Sequence, residues 1–129
     1  MKTFGPVYAG KAPHAVCAFG ALAGNDLIAS VSGGTAPHIG AAVLAEPGNS
    51  FVHTAGLLCL PGHRDDLPAH ALAKKLCRIL GRTVCLTAGL HIDDASPKDI
   101  EMLLHNAEEA VQLLADAILT NSHPFEGQS

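Results

Sequence analysis

At 129 residues, 48% hydrophobic and 16% charged, the chain has the length of one domain and is too apolar to be disordered, so it can bury a core without disulfide or metal staples. A net charge of -4 without any cluster of Lys and Arg excludes a nucleic-acid footprint. With four Phe, one Tyr and no Trp, packing falls to Ala, Leu, Val and Ile.

Residues 3–9 offer a short first strand. Residues 14–23 are apolar and end in Gly24-Asn25-Asp26, a tight-turn signal; in residues 27–32, Leu27, Ala29 and Val31 then alternate with Ile28, Ser30 and Ser32. This is the pattern of a β-hairpin. Gly33-Gly34-Thr35-Ala36-Pro37 breaks it, and residues 39–46 resume as a continuous apolar run, as expected of a strand buried on both faces. Pro47-Gly48-Asn49 turns the chain into residues 51–60. The first half therefore reads as an antiparallel meander of four strands, with residues 3–9 as a fifth.

In residues 67–80, Leu72, Leu76, Ile79 and Leu80 fall at i, i+4, i+7 and i+8 while His70, Lys74, Lys75 and Arg78 take the other side. That spacing predicts an amphipathic helix, ended by Gly81. Residues 82–88 alternate Val84, Leu86 and Ala88 against Thr83, Cys85 and Thr87, as a strand does. The last helix opens with Ser96 as N-cap, Pro97 at its first position and Asp99 three residues after the cap. Ile100, Leu103, Leu104, Ala107, Val111, Leu114 and Ile118 form its apolar stripe, and residues 120–129 read as a flexible tail. The order of elements predicts a single α+β domain over 1–129, with a curved antiparallel sheet or small partial β-barrel and two amphipathic helices. Turns this short do not serve the crossovers of a doubly wound parallel sheet.

Cys17, Cys59, Cys77 and Cys85 are far apart, form no C-x-x-C and sit in apolar runs, so they are expected to be buried reduced thiols. The first ten residues hold one Lys and no long apolar stretch, and no run approaches the roughly 18 apolar residues of a membrane span. A cytoplasmic protein is the expectation. The dinucleotide, Walker and nucleophile-elbow fingerprints are missing.

Two segments resemble each other: Gly62-His63-Arg64-Asp65-Asp66 and Gly89-Leu90-His91-Ile92-Asp93-Asp94, each between a strand-like and a helix-like run. A third turn, Thr35-Ala36-Pro37-His38-Ile39-Gly40, brings another imidazole. His63, Asp65, Asp66, His91, Asp93 and Asp94 are candidate metal ligands, and their mixed N/O donors favour Mn, Zn, Fe or Ni over Ca or Mg. A metal-free use is a His base whose tautomer a neighbouring Asp fixes. Asp65 or Asp66 stands where the N-cap of the first helix belongs, so capping competes with a site role there. Ser96 already caps the second helix, leaving His91, Asp93 and Asp94 for function, with His38 and His63 as partners. His38 beside an apolar strand takes either a structural hydrogen bond or a site role. His14, His53, His70, His105 and His123 carry no local constellation, and His70 and His105 fall on the solvent faces of helices.

The ordered triple of Gly33-Gly34-Thr35-Ala36-Pro37-His38-Ile39-Gly40-Ala41, Pro61-Gly62-His63-Arg64-Asp65-Asp66 and Thr87-Ala88-Gly89-Leu90-His91-Ile92-Asp93-Asp94 resembles the LpdD-like family. That family takes its name from the accessory protein of gallate decarboxylase and is implicated as a prenylated-flavin chaperone for UbiD-type decarboxylases. The resemblance implies a fold like the proteasome assembly chaperones. It also implies binding of prenylated FMN, with a UbiD-type decarboxylase and a flavin prenyltransferase as partners, and a homodimer. Carried onto matching positions, it makes Gly33, Gly34, His38, His63, Arg64, His91 and Asp93 the candidate cofactor-binding residues. A flavin phosphate could use the Gly33-Gly34 backbone or a helix N-terminus, but the loop carboxylates repel it unless a cation or Arg64 intervenes. The rival expectations are a metal-dependent hydrolase or lyase built on the same His and Asp residues, and a scaffold that binds a partner through its sheet edge.

Overall fold

The computed structural model describes residues 1–48 and 52–121. In chain order the elements are β1 (Thr3–Ala9), β2 (Val16–Ala23), β3 (Asp26–Gly34), β4 (Ala41–Pro47), β5 (Val52–Cys59), α1 (Asp66–Leu80), β6 (Val84–His91) and α2 (Pro97–Asn121). The polar tail beyond residue 121, His123 within it, and the turn at Asn49 lie outside the described residues.

The α+β architecture with two amphipathic helices is present, and the sheet is mixed and open rather than wholly antiparallel or closed. Its strand order is β1-β2-β3-β6-β4-β5. β1, β2 and β3 form the expected antiparallel series, but β3 and β4 are not neighbours. β6 lies between them, parallel to β3 and antiparallel to β4. The meander is interrupted because residues 35–40 are long enough to step over one strand. They straddle the C-terminal end of β6, where the Thr35 N–H donates to the His91 carbonyl (2.8 Å) and the Gly40 N–H to the Ala88 carbonyl (2.9 Å).

Both helices lie on one face of the sheet, α1 over β4, β5 and β6 and α2 over β1, β2 and β3. Alternation supplies the inward strand residues Leu27, Ala29 and Val31 of β3 and Val84, Leu86 and Ala88 of β6, all buried. They meet Leu72 and Leu76 of α1 and Val111, Leu114 and Ile118 of α2 in one core. Each such Leu or Ile contributes about 1.5–3 kcal/mol by leaving water. Alanines at Ala69, Ala73, Ala107 and Ala110, fully buried, let the helices approach closely where larger side chains would not fit.

Helix ends follow the sequence in two places. Gly81 closes α1 in the left-handed conformation (φ 64°), and its N–H donates to the Cys77 carbonyl. Ser96 and Asp99 form a capping box, the Asp99 N–H donating to Ser96 Oγ (3.1 Å) and the Ser96 N–H to Asp99 Oδ2 (3.0 Å).

Three expectations are corrected. β4 is buried on one face only, since Leu44 on the side away from the helices is 44% exposed. His70 does not face solvent alone: its Nε2 lies 2.8 Å from the Thr54 hydroxyl and ties α1 to β5. Of the four free cysteines only Cys77 is buried, and Cys59, at the end of an edge strand, is exposed. An apolar run on an edge strand does not bury its thiol, because no neighbour covers it. Among the described residues no helix is long and apolar enough to cross a membrane.

Candidate functional site

The three His-bearing loops leave the same end of the sheet. Residues 35–40 straddle β6, the loop after β5 carries His63 into α1, and β6 ends at His91. Two glycines make the convergence feasible. A Cβ on Gly89 would run into the His38 carbonyl, and one on Gly40 into the Asp65 carboxylate. Both positions need the absence of a side chain rather than an unusual φ.

Asp65 is the centre of the site. It precedes α1 at the N-cap position, yet its side chain makes no capping bond. With 4% of its surface exposed, its carboxylate instead accepts the Leu90 N–H at Oδ1 (2.9 Å) and places Oδ2 3.0 Å from His38 Nε2. The capping role weighed for Asp65 is therefore replaced by a site role, because the carboxylate joins α1 to β6 and to the 35–40 loop. A buried carboxylate is tolerable only with such partners.

His38 is held from both sides. Its Nδ1 lies 3.0 Å from the Ala36 carbonyl, which only accepts, so that nitrogen carries the proton. Its Nε2 faces Asp65 and also lies 3.1 Å from His63 Nδ1, which is itself 3.7 Å from Asp65 Oδ2. The rings of His38 and His63 sit 4.9 Å apart, and His91 approaches His38 edge-on with centroids 6.4 Å apart. Among the described residues, His38, His63 and Asp65 are the one group of three or more His, Cys, Asp or Glu donors close enough to share an ion.

The other candidates are placed differently. His91 donates from Nε2 to Asp93 Oδ1 (2.9 Å), but Asp93 has 86% of its side chain exposed. Asp94, with φ 52°, sits in the tight turn after β6 and is exposed. Asp66 is the first residue of α1 and belongs to no donor group. Gly33 and Gly34 end β3, pairing with Leu90 and His91, and the Gly34 N–H is taken by the Ala15 carbonyl. Neither glycine lines the pocket.

A pocket of about 370 Å³ opens at these loops. Its polar end is formed by His38, His63, Arg64, Asp65 and His91. Its apolar wall comes from Pro68, Leu90, Ile92, Ile100 and Leu104. Ile100 and Leu104, 49% and 40% exposed, are the residues that sequence reasoning assigned to the helix stripe without a site role. Their signal was a stripe wider than one helix face needs. Gly40 and the Leu90 N–H were likewise missed: the first was visible in the third turn as a glycine after His38, the second as a backbone donor left no trace in the sequence.

The N-terminus of α2, which carries this wall, is fixed by His14. Its Nε2–H donates to Asp99 Oδ1 (2.8 Å), and the Asn106 amide donates to the His14 carbonyl (2.8 Å). The hydrogen bond from His14, helped by the backbone and hydroxyl of Ser96, holds the Asp99 carboxyl down at about 2.

Comparison with known proteins adds three findings. The family model of the prenylated flavin chaperone LpdD-like domain matches residues 10–119. Protein LpdD of Lactiplantibacillus plantarum is 30% identical over 102 residues, 78% of this chain and 72% of that protein. In fold, the chain is similar to a subunit of a crystallised chaperone complex for yeast 20S proteasome assembly, with a TM-score of 0.59 at 16% identity over 92% of this chain and 95% of that one.

Proposed function

Because the chain belongs to the LpdD-like domain family, we propose that it is an accessory chaperone that holds prenylated FMN in the loop pocket and hands it to a UbiD-type decarboxylase. The observation that carries this reading is the two-ended pocket: imidazoles and a guanidinium at one end, an aliphatic wall at the other. A modified flavin has the same division, a phosphate at one end and an apolar ring system at the other. The volume of about 370 Å³ lies in the range of small-molecule sites, about 300–1,000 Å³.

The residues fit such a ligand in four respects. Arg64 lines the pocket and suits bidentate contact with phosphate. Asp65 leaves the Asp66 and Leu67 N–H groups at the start of α1 without a side-chain cap, so the positive end of the helix dipole adds to the field beside that guanidinium. Ile92, Ile100 and Leu104 supply flat apolar contact, in place of the aromatic rings that the composition lacks. His63, whose Nδ1 faces His38, can donate to a phosphate oxygen from its other ring nitrogen.

Anaerobic titration of prenylated FMN into the purified protein tests this directly. Saturable binding with a spectral shift is expected, weakened at least about tenfold in Arg64→Ala by loss of a charge-assisted contact and similarly in Leu104→Asp. Mixing the loaded protein with an apo-decarboxylase should restore decarboxylation faster than free cofactor does. Absence of any spectral change or binding heat in the wild type defeats the reading. Turnover of a small ester or acid without flavin would instead support the metal-dependent hydrolase or lyase that the same His and Asp residues allow.

A further inference from the structure

We propose that His38, His63 and Asp65 bind one first-row divalent metal ion, of the class Zn²⁺, Mn²⁺, Fe²⁺ or Ni²⁺, with its remaining positions open to the pocket. Two nitrogens and one carboxylate oxygen converge, His63 and Asp65 from the loop that enters α1 and His38 from the loop of residues 35–40. Their separations are 3.0 Å (His38 Nε2 to Asp65 Oδ2), 3.1 Å (His38 Nε2 to His63 Nδ1) and 3.7 Å (His63 Nδ1 to Asp65 Oδ2). Donors on a common ion with bonds of about 2.0–2.1 Å sit about 2.9 Å apart at a right angle and about 3.4 Å apart at the tetrahedral angle. Two of the three separations fall in this range, and the third, 3.7 Å between His63 Nδ1 and Asp65 Oδ2, closes to it with a shift of about 0.3 Å by the half-exposed His63 ring. Two His and one carboxylate on a face, with open positions opposite, is a donor set for borderline ions rather than for Ca²⁺ or Mg²⁺.

The lone pairs point the same way. The Ala36 carbonyl claims a proton of His38 at Nδ1, so the neutral form of the ring turns the lone pair of Nε2 toward a carboxylate oxygen. Two lone pairs at hydrogen-bond distance repel unless a positive charge lies between them. A single proton relieves one pair of atoms; an ion relieves all three. The outer contacts are those of a ligand set already oriented: His38 Nδ1–H on a backbone carbonyl, and Asp65 Oδ1 on the Leu90 N–H, leaving Oδ2 as a monodentate donor. Gly40 leaves room for Asp65, and Gly89 for the loop that carries His38.

The ion has a consequence for the ligand, and this part rests on the flavin reading above. A phosphate entering this end meets the Asp65 carboxylate, and a divalent ion between them converts that repulsion into two attractions. The open positions therefore suit a phosphate monoester oxygen.

The test uses tag-free protein stripped with a chelator and holding no flavin. Titration with Zn²⁺, Mn²⁺ and Ni²⁺, with ion content measured by mass spectrometry, is expected to give one ion per chain and a rise in Tm. Co²⁺ should give visible d–d bands. His38→Ala and His63→Ala are expected to weaken binding at least about 100-fold, more than loss of an outer-shell partner does, and to abolish the bands. Asp93→Asn should change affinity less than about threefold, since its exposed side chain is not among the donors. The His63 side chain is 38% exposed, so its removal leaves a folded protein on which the loss can be read. Failure to bind a stoichiometric ion, or undiminished affinity in His63→Ala, overturns the site and leaves a shared proton in its place. With Mn²⁺ bound, broadening of the phosphorus resonance of inorganic phosphate reads the open positions; no broadening overturns the phosphate role alone. Since no flavin is present, the ion site and the flavin reading fail separately.

Discussion

The two His and Asp loops are near-copies in sequence and opposites in structure. In the first, residues 62–66, the aspartate is buried and bound to a backbone N–H and an imidazole. In the second, residues 89–94, the aspartates are exposed and the side-chain bond from His91 to Asp93 stays within the loop. The difference lies in what surrounds each. The first loop enters α1 beneath residues 35–40 and beside β6, so its carboxylate has partners from two other segments. The second emerges from the end of β6 into solvent and turns away through Asp94. Identical residue types thus acquire different chemistry from the strand order, which puts β6 between β3 and β4.

Substitutions sharpen this contrast. The largest effect is expected for Asp65→Ala, which strands the Leu90 N–H and releases His38 and His63. Loss of a buried charged acceptor predicts destabilisation on the order of 3 kcal/mol, readable by urea unfolding. Gly40→Ala should follow, costing about 1–3 kcal/mol by overpacking against Asp65, with pocket binding lost as well. By contrast, Asp93→Ala should stay within about 0.5 kcal/mol of wild type, the range of surface substitutions. A large loss there would break the comparison.

The second helix supplies a pH-dependent test. Asp99 is held at about 2 by His14, below its ordinary value of 3.8. A carboxyl depressed by folding binds its proton less readily in the folded protein than in the unfolded chain. Its contribution is therefore present above about pH 4 and is lost as pH falls through 2. Asp99→Asn should lower Tm above about pH 4 and converge on the wild type near pH 2, which flattens the acid limb of the Tm–pH profile in that window. If the acid limb is unchanged, the His14 link does not fix the start of α2.

Much of the fold was legible because it is local. The β2–β3 hairpin, the amphipathic spacing of α1, the Ser96–Asp99 box and the left-handed Gly81 each follow from neighbouring residues. The placement of β6 was not legible, since parallel pairing with β3 depends on a crossover through α1 that no local pattern encodes. The same gap misplaced the weight within the site. Capping offered Asp65 a local role and left Asp93 and Asp94 without one, which favoured the second loop. In the folded protein the capping position of Asp65 is what aims its carboxylate inward, and Ser96 and Asp99 are the pair that keep α2 in place. His38, His63 and His91 were named from the motifs, and they do converge. The apolar wall of Ile100 and Leu104 went unrecognised because a stripe of leucines and isoleucines reads as core until the facing surface is found to be a pocket.

The central claim is that the first loop, with His38, forms the working end of the pocket. Parallel anaerobic titrations of prenylated FMN into His63→Ala and Asp93→Ala test it most directly. At least about tenfold weaker binding is expected in His63→Ala, as for loss of a hydrogen bond to a charged group, with Asp93→Ala indistinguishable from wild type. Loss of binding in Asp93→Ala with His63→Ala unaffected would contradict it.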